Sequence, residues 1–344
     1  MSSSADSAIR VGVAGLGGMG LVHAQNAVRS SRAELVAVAA ARPGRADEVA
    51  RELGAGVRAL SYDELFAAPD VEAVVLAARS VDHARLACDV LARGKHLLLE
   101  KPGATTLAGH EAVRTAAAAA PDLVVHVAYM RRYDAAFAEA ARLVGDGAIG
   151  TPLAVLITSR DREWPDGDDL AAAGGFLVDM AVHDYDTACW LLGQEPVEAF
   201  AARQALVHPE LAALGDLDNA IVTVRFERGG IAATHVSRTC AFGHDIRCEV
   251  VGSEGSVLVG NAASRDGVSV LRGRDAGLFP QDYRERFADA YRAELEGFLA
   301  ACRGGPPGPG LEDDRRAVAT GVAARASALA GRPLAVGTDW PWPA

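Results

Sequence analysis

At 344 residues, half of them apolar, the chain is long for one domain and ample for two, each with its own core. A formal charge of −11 with no basic run argues against a nucleic-acid face and against attraction to anionic membranes. No apolar run reaches membrane-spanning length, and the polar opening Met1–Ser7 lacks the apolar region of a signal peptide.

Ile9–Ala14 reads as a strand, followed at once by Gly15-Leu16-Gly17-Gly18-Met19-Gly20 and a helical pattern to about Ser30. In a G-x-G-x-x-G between strand and helix, the first glycine permits a tight turn and the second lets backbone approach a pyrophosphate. The third allows close helix–strand packing. With a second strand at Leu35–Ala39, the stretch predicts dinucleotide binding. An NAD-binding domain carries an acid at the end of that strand to grip the ribose 2′-hydroxyl. Here the position is Ala40, followed by Arg42 and Arg45. Two guanidiniums suit a 2′-phosphate, which tilts the expected cofactor towards NADP over NAD. The alternative is that both are solvated residues opening the next helix.

The alternation continues with helices at Arg45–Leu53, Tyr62–Ala67, Ala84–Arg93 and Leu107–Ala120, and strands at Val71–Ala77, Leu97–Leu99 and Leu123–Ala128. Strands separated by helices at this spacing predict a parallel, doubly wound sheet. Leu97–Leu99 runs straight into Glu100-Lys101-Pro102. Ligands in such sheets bind beyond the carboxyl ends of the strands, and charge there is costly unless it has a task. Solvated loop charges are the plainer alternative.

After Tyr129 the texture changes. A helix at Ala135–Val144 leads to a strand at Pro152–Ser159. Strands then arrive without intervening helices, at Ala199–Gln204, Ala220–Phe226, Gly230–Ser237, Ile246–Gly252, Ser256–Gly260 and Val268–Leu271. This predicts a largely antiparallel sheet in a second, α+β domain. Two helices close the chain, about Tyr283–Cys302 and Glu312–Ala330.

Between these regions, Gly174–Gly193 reads as one helix that places Asp179 and His183 on a shared face, four residues apart. A carboxylate beside an imidazole raises its basicity, as a general base requires. A metal pair or a structural His–Asp pair would look the same. No third ligand at clear spacing appears, so no metal is expected. The five cysteines, scattered without C-x-x-C, suit buried thiols in a reducing cytoplasm.

Taken together, Gly15-x-Gly17-x-x-Gly20, Glu100-Lys101-Pro102 and Gly174-Gly175-x-x-x-Asp179-x-x-x-His183-Asp184 resemble the Gfo/Idh/MocA oxidoreductase family over nearly the whole chain. Tyr129–Asp134, and Phe287–Tyr291 ahead of Glu294, resemble its inositol dehydrogenase branch. The resemblance implies a Rossmann domain over residues 1–128 and an α+β domain over 129–344 for substrate binding and oligomerisation. It implies Lys101, Asp179 and His183 as the catalytic trio, joined around the substrate by Arg131, Asp161 and Tyr291. Ala78, His83, Glu100 and Lys101 would line the cofactor site with the glycine turn. The implied activity is hydride transfer between NAD(P) and a secondary hydroxyl of a cyclitol or sugar, by a cytoplasmic homodimer or homotetramer. An NDP-sugar ketoreductase and a non-catalytic, cofactor-binding regulator are the alternatives. Ala40 departs from the family's usual acid. Ser159 stands where inositol dehydrogenases can place a substrate-facing histidine, and nothing explains Arg79.

Overall fold

A computed structural model describes residues 7–54, 56–162, 175–260 and 279–337. The strand expected at Val268–Leu271, and Gly174, lie outside them. The chain divides into two compact units, Met1–Met130 with Asp289–Asp314, and Arg131–Ala288 with Arg315–Ala344. The contiguous division 1–128 and 129–344 does not anticipate the return of Asp289–Asp314 to the first unit. The cause is apolar: Leu295, Phe298 and Leu299 are buried in the same cluster as Ile9, Val11 and Val13.

The first unit is built on β1 (Ile9–Ala14), β2 (Ala33–Ala39), β3 (Arg58–Leu60), β4 (Ala73–Leu76), β5 (His96–Glu100) and β6 (Val125–Ala128). All are parallel, in the order β3-β2-β1-β4-β5-β6. Successive side chains of β5 alternate between two cores, which is why Leu97–Leu99 is apolar without a break. Leu98 joins Val11, Val13, Ala24 and Phe298 on one face. Leu97 and Leu99 join Val74, Leu76, Leu86, Val90 and Val113 on the other. Each fully buried leucine contributes roughly 1.5–3 kcal/mol. The strand order reverses between β1 and β4, and in sheets of this kind that is where ligands bind.

The second unit's sheet contains β7 (Pro152–Arg160), β8 (Pro196–Gln204), β9 (Asn219–Phe226), β10 (Ile231–Ser237), β11 (Asp245–Gly252), β12 (Ser256–Val259) and β13 (Leu334–Ala335). Its order is β12-β11-β7-β10-β9-β8-β13. Only β7 and β10 pair in parallel, so the sheet is mostly antiparallel as expected. On β9, Ala220, Val222, Val224 and Phe226 are buried while Ile221, Thr223 and Arg225 are exposed. The two-residue period of a half-covered sheet is thus kept.

The segment after Gly175 departs from the single helix expected there. It forms a short helix, Phe176–Asp179, and a second, Val182–Leu192, which ends at Gly193 in the left-handed conformation. Met180 and Ala181 form the break. Phe176–Val178 and Val182 are all buried, a run too dense for one amphipathic face.

Candidate functional site

In the first unit the glycine turn is shaped by packing. Gly15 donates its N–H to the carbonyl of Ala39 at 2.9 Å and has φ +96°, where a side chain would be strained. A Cβ there would lie 2.2 Å from the carbonyl oxygen of Ala77, and one on Gly20 would lie 1.8 Å from that of Gly15. On Gly17 a Cβ would meet nothing within 4 Å. The middle glycine, exposed beside Gly18, therefore opens a cradle at the N-terminus of the helix Gly18–Arg29. That helix has no side-chain cap and no acid in its first turn. Backbone N–H groups left there suit an anion such as a pyrophosphate. Leu16 is buried and Met19 half-buried within the same turn.

Beyond Ala40, both arginines are engaged. Arg42 Nη2 and Arg45 Nη1 each lie 3.1 Å from Oε2 of Glu48, and Arg45 Nε donates to the carbonyl of Leu16 at 3.4 Å.

The end of β5 is held from several sides. Glu100, buried, accepts from Nε2 of His23 at 2.8 Å and from the backbone N–H of Lys101 at 3.1 Å. His23, on the helix after the glycine turn, thereby ties that helix to the strand end. His83 is also buried and bridges two loops, with Nδ1 2.8 Å from the carbonyl of Pro102 and Nε2 3.0 Å from that of Ala78. Asp314 accepts from the N–H of Gly103 at 2.9 Å and from the hydroxyl of Tyr129 at 2.7 Å; His110 Nε2 lies 3.2 Å away. Burial pushes the Asp314 carboxyl up, against the pull of these partners. Lys101, following the strand, stays half-exposed. Arg79 is exposed at the start of the turn Ser80–Asp82.

Tyr291 sits in this unit, its buried ring edge-on to His23 with centroids 6.4 Å apart. One turn along, Glu294 is 1% exposed, and neither carboxylate oxygen has a hydrogen-bond partner among the described residues. Burial, reinforced by the neighbouring Glu100, holds its carboxyl well above the usual range.

In the second unit, Asp179, Met180 and His183 are the half-exposed positions between 175 and 189. The two chemical side chains stay four residues apart, but on separate short helices instead of one face. Arg131, implied as a substrate contact, is buried: Nη1 donates to Asp184 at 2.5 Å and Nη2 to the hydroxyl of Ser159 at 2.8 Å. Thr234 completes Asp184 with a 2.6 Å bond. These bonds explain Ser159, which serves Arg131, and they make Arg131 a strut between β7 and the helix Val182–Leu192. Asp161 pairs with Nδ1 of the buried His244.

Sequence reasoning assigned no role to His23, Asp314 or Arg238, nor to Asp184, which it named only within the motif. Arg238, just past β10, is buried with its guanidinium 4.1 Å from the ring centroid of Phe176 and 3.4 Å from Asp216. Asp216 also accepts the N–H of Phe176 at 3.0 Å, fixing the start of the short helix that carries Asp179. A charge at the end of a strand singled out Lys101, and the same signal was present at Arg238. Burial pushes the thiols of Cys189, Cys248 and Cys302 up to about 12, which removes them as nucleophiles. Among the described residues no group of three or more His, Cys, Asp or Glu side chains could hold a metal ion.

A six-stranded parallel sheet in this order, with an anion cradle in its first turn, defines a dinucleotide-binding unit of the doubly wound class. Residues 9–129 match the oxidoreductase family with an NAD-binding Rossmann fold, and residues 137–258 match the GFO/IDH/MocA C-terminal domain. The chain belongs to the Gfo/Idh/MocA oxidoreductase family. It is 33% identical to the myo-inositol 2-dehydrogenase of Thermotoga maritima, over 93% of this chain and 96% of that one. It is 34% identical to the scyllo-inositol 2-dehydrogenase (NAD(+)) of Bacillus subtilis, over 86% and 87%. The crystal structure of a myo-inositol dehydrogenase from Corynebacterium glutamicum superposes with a TM-score of 0.84 at 28% identity, covering 96% of this chain and 99% of that one.

Proposed function

We propose that the protein is a nicotinamide-dependent dehydrogenase acting on a secondary hydroxyl of a cyclitol of the inositol type. The observation that carries the reading is Lys101 at the carboxyl end of β5, in a unit whose glycine turn leaves an anion cradle. Identity to inositol dehydrogenases along most of the chain supports the substrate class.

The nicotinamide, when bound, accepts the hydride. Gly15 to Gly20 hold the pyrophosphate, and Ala78, His83 and Glu100 shape the loops around the cofactor. Lys101 hydrogen-bonds the reacting hydroxyl and stabilises its developing negative charge. His183 takes the proton. Its Nδ1 is buried, so Nε2 is the accepting atom, and Asp179 orients the ring. General-base help is worth roughly 10²–10⁴ in rate, and a cation aimed at developing charge a similar factor. Asp161 and Tyr291 contribute to the substrate's surroundings, and Arg131 acts through Asp184.

Arg42 and Arg45 tilt the cofactor choice towards NADP(H), which a higher kcat/KM with NADPH than with NADH checks. The outer face of the second sheet suits self-association. Leu258, Glu249, Leu156, Ala233, Thr223 and Phe200 form one row in register across six strands, and Leu156 and Leu258 are exposed. Five cysteines, none in a disulfide, fit a cytoplasmic setting.

The test is Lys101→Met assayed against inositols, free sugars and NDP-sugars. Turnover should fall roughly 10²–10⁴-fold while dinucleotide affinity is kept. Near-normal kcat would remove Lys101 from the chemistry. Activity of the parent on NDP-sugars alone would favour a biosynthetic ketoreductase, and cofactor binding without turnover would favour a regulator.

A further inference from the structure

We propose that Glu48 weakens this protein's preference for NADP(H), because its carboxylate occupies the guanidinium pair that a 2′-phosphate needs. The inference rests on the reading that the glycine turn binds such a dinucleotide.

Arg42 Nη2 and Arg45 Nη1 approach the same atom, Glu48 Oε2, each at 3.1 Å. Arg45 is also hydrogen-bonded to the carbonyl of Leu16, inside the glycine turn, so this clamp stands at the cradle and not elsewhere on the surface. Glu48 comes from the first turn of the helix Arg45–Leu53, whose N-cap Gly44 offers no side-chain cap. The strand end itself supplies no acid, because Ala40 stands there.

Two consequences follow from charge and geometry. The three side chains together carry one net positive charge, where the two arginines alone would carry two. A 2′-phosphate, bearing roughly −1.5 to −2 at neutral pH, must displace a carboxylate or sit against it. A 2′-hydroxyl meets no such conflict and gains a nearby acceptor, the part an acid at the end of β2 otherwise plays. The clamp is displaceable because Arg42 and Glu48 are exposed, with side-chain accessibilities of 68% and 46%. Exposed pairs of this kind hold only weakly. Glu48 therefore restrains the use of NADP(H) that the arginines invite, without abolishing it.

The experiment is calorimetric titration of the purified full chain and of Glu48→Gln with NAD⁺ and with NADP⁺, which needs no substrate and no turnover. NADP⁺ should bind Glu48→Gln about tenfold more tightly than the parent, as expected for two released charge-assisted contacts. NAD⁺ affinity should stay level or weaken. Glu48→Ala, which preserves helix propensity, should move the ratio the same way, and adding Arg42→Ala to Glu48→Gln should cancel the gain. An unchanged NADP⁺/NAD⁺ ratio in both Glu48 variants overturns the inference while leaving the dehydrogenase reading in place. Failure of the parent to bind either dinucleotide overturns that reading as well.

Discussion

In the parallel-sheet unit, Glu100 and Asp314 spend their buried oxygens on backbone N–H groups, imidazoles and a phenol. In the second unit, the buried Asp184, Asp186 and Asp216 each face a guanidinium, from Arg131, Arg132 and Arg238. Both arrangements hold the segments proposed for the chemistry in place, Gly103 two residues after Lys101 in one and the helices carrying Asp179 and His183 in the other. They differ in what keeps them charged. A guanidinium keeps its proton at any pH a protein survives, whereas imidazoles and unpaired carboxyls exchange theirs. The lesson is that, of these buried carboxylates, pH should act mainly on those of the nucleotide-binding unit.

The largest test breaks an ionic strut. Arg131→Met leaves Asp184 buried with Thr234 alone, and urea denaturation should register a loss of about 3–5 kcal/mol. Adding Asp184→Leu should restore part of it, and a single-variant loss below about 1 kcal/mol would erase the contrast.

Next comes His126, whose buried ring has its pKa lowered to about 4 while Nε2 accepts the N–H of Gly308 at 2.8 Å. The unfolded chain binds a proton there near pH 6.5 and the folded one does not. Stability is therefore intact above about 6.5 and lost as pH falls towards 4, by at most about 3 kcal/mol. Thermal melts across that interval should show the loss, and His126→Gln should flatten it.

Glu294 works in the opposite direction. Its carboxyl is held protonated in the fold, so the penalty is absent below the ordinary glutamate range and grows as pH rises above it. Glu294→Gln should melt higher than the parent at pH 8 and equally at pH 4. A parent that matches the variant at both pH values would show that Glu294 is not a buried neutral acid.

The smallest effect is that of Asp314→Asn. One of the donors now served by the carboxylate must face an amide N–H₂ instead, at a cost of about 1 kcal/mol. Because Gly103 follows Lys101 and Pro102, KM for the dinucleotide should rise in steady-state assays even where the melt barely moves.

Much of this was legible in the residues themselves. The glycine turn, the apolar run into Glu100 and the alternation on β9 announce their structures because helix and strand periods are local. The helix expected through Asp179 and His183 breaks at Met180–Ala181, because Phe176–Val178, Ala181 and Val182 are all buried and do not fit one amphipathic face. The struts were out of reach for a different reason. Asp314 lies 211 positions from Gly103 and 185 from Tyr129, and nothing in the spacing of an aspartate says which distant N–H it will meet. Arg42 and Arg45 were read without Glu48, three residues on from the second of them, although that interval on a helix was visible in the sequence.

The return of Asp289–Asp314 to the first unit bears on how the chain is born. A nascent polypeptide that has emerged only as far as Met130 has every strand of the parallel sheet but lacks Phe298, Leu295 and the Pro309 carbonyl that receives Val127 N–H. At translation speeds of 5–20 residues per second, those pieces arrive roughly 10–40 s later. During that wait an apolar groove stays open on the ribosome-bound half. The amino-terminal half of this molecule is thus the first to be synthesised but cannot be the first to be finished.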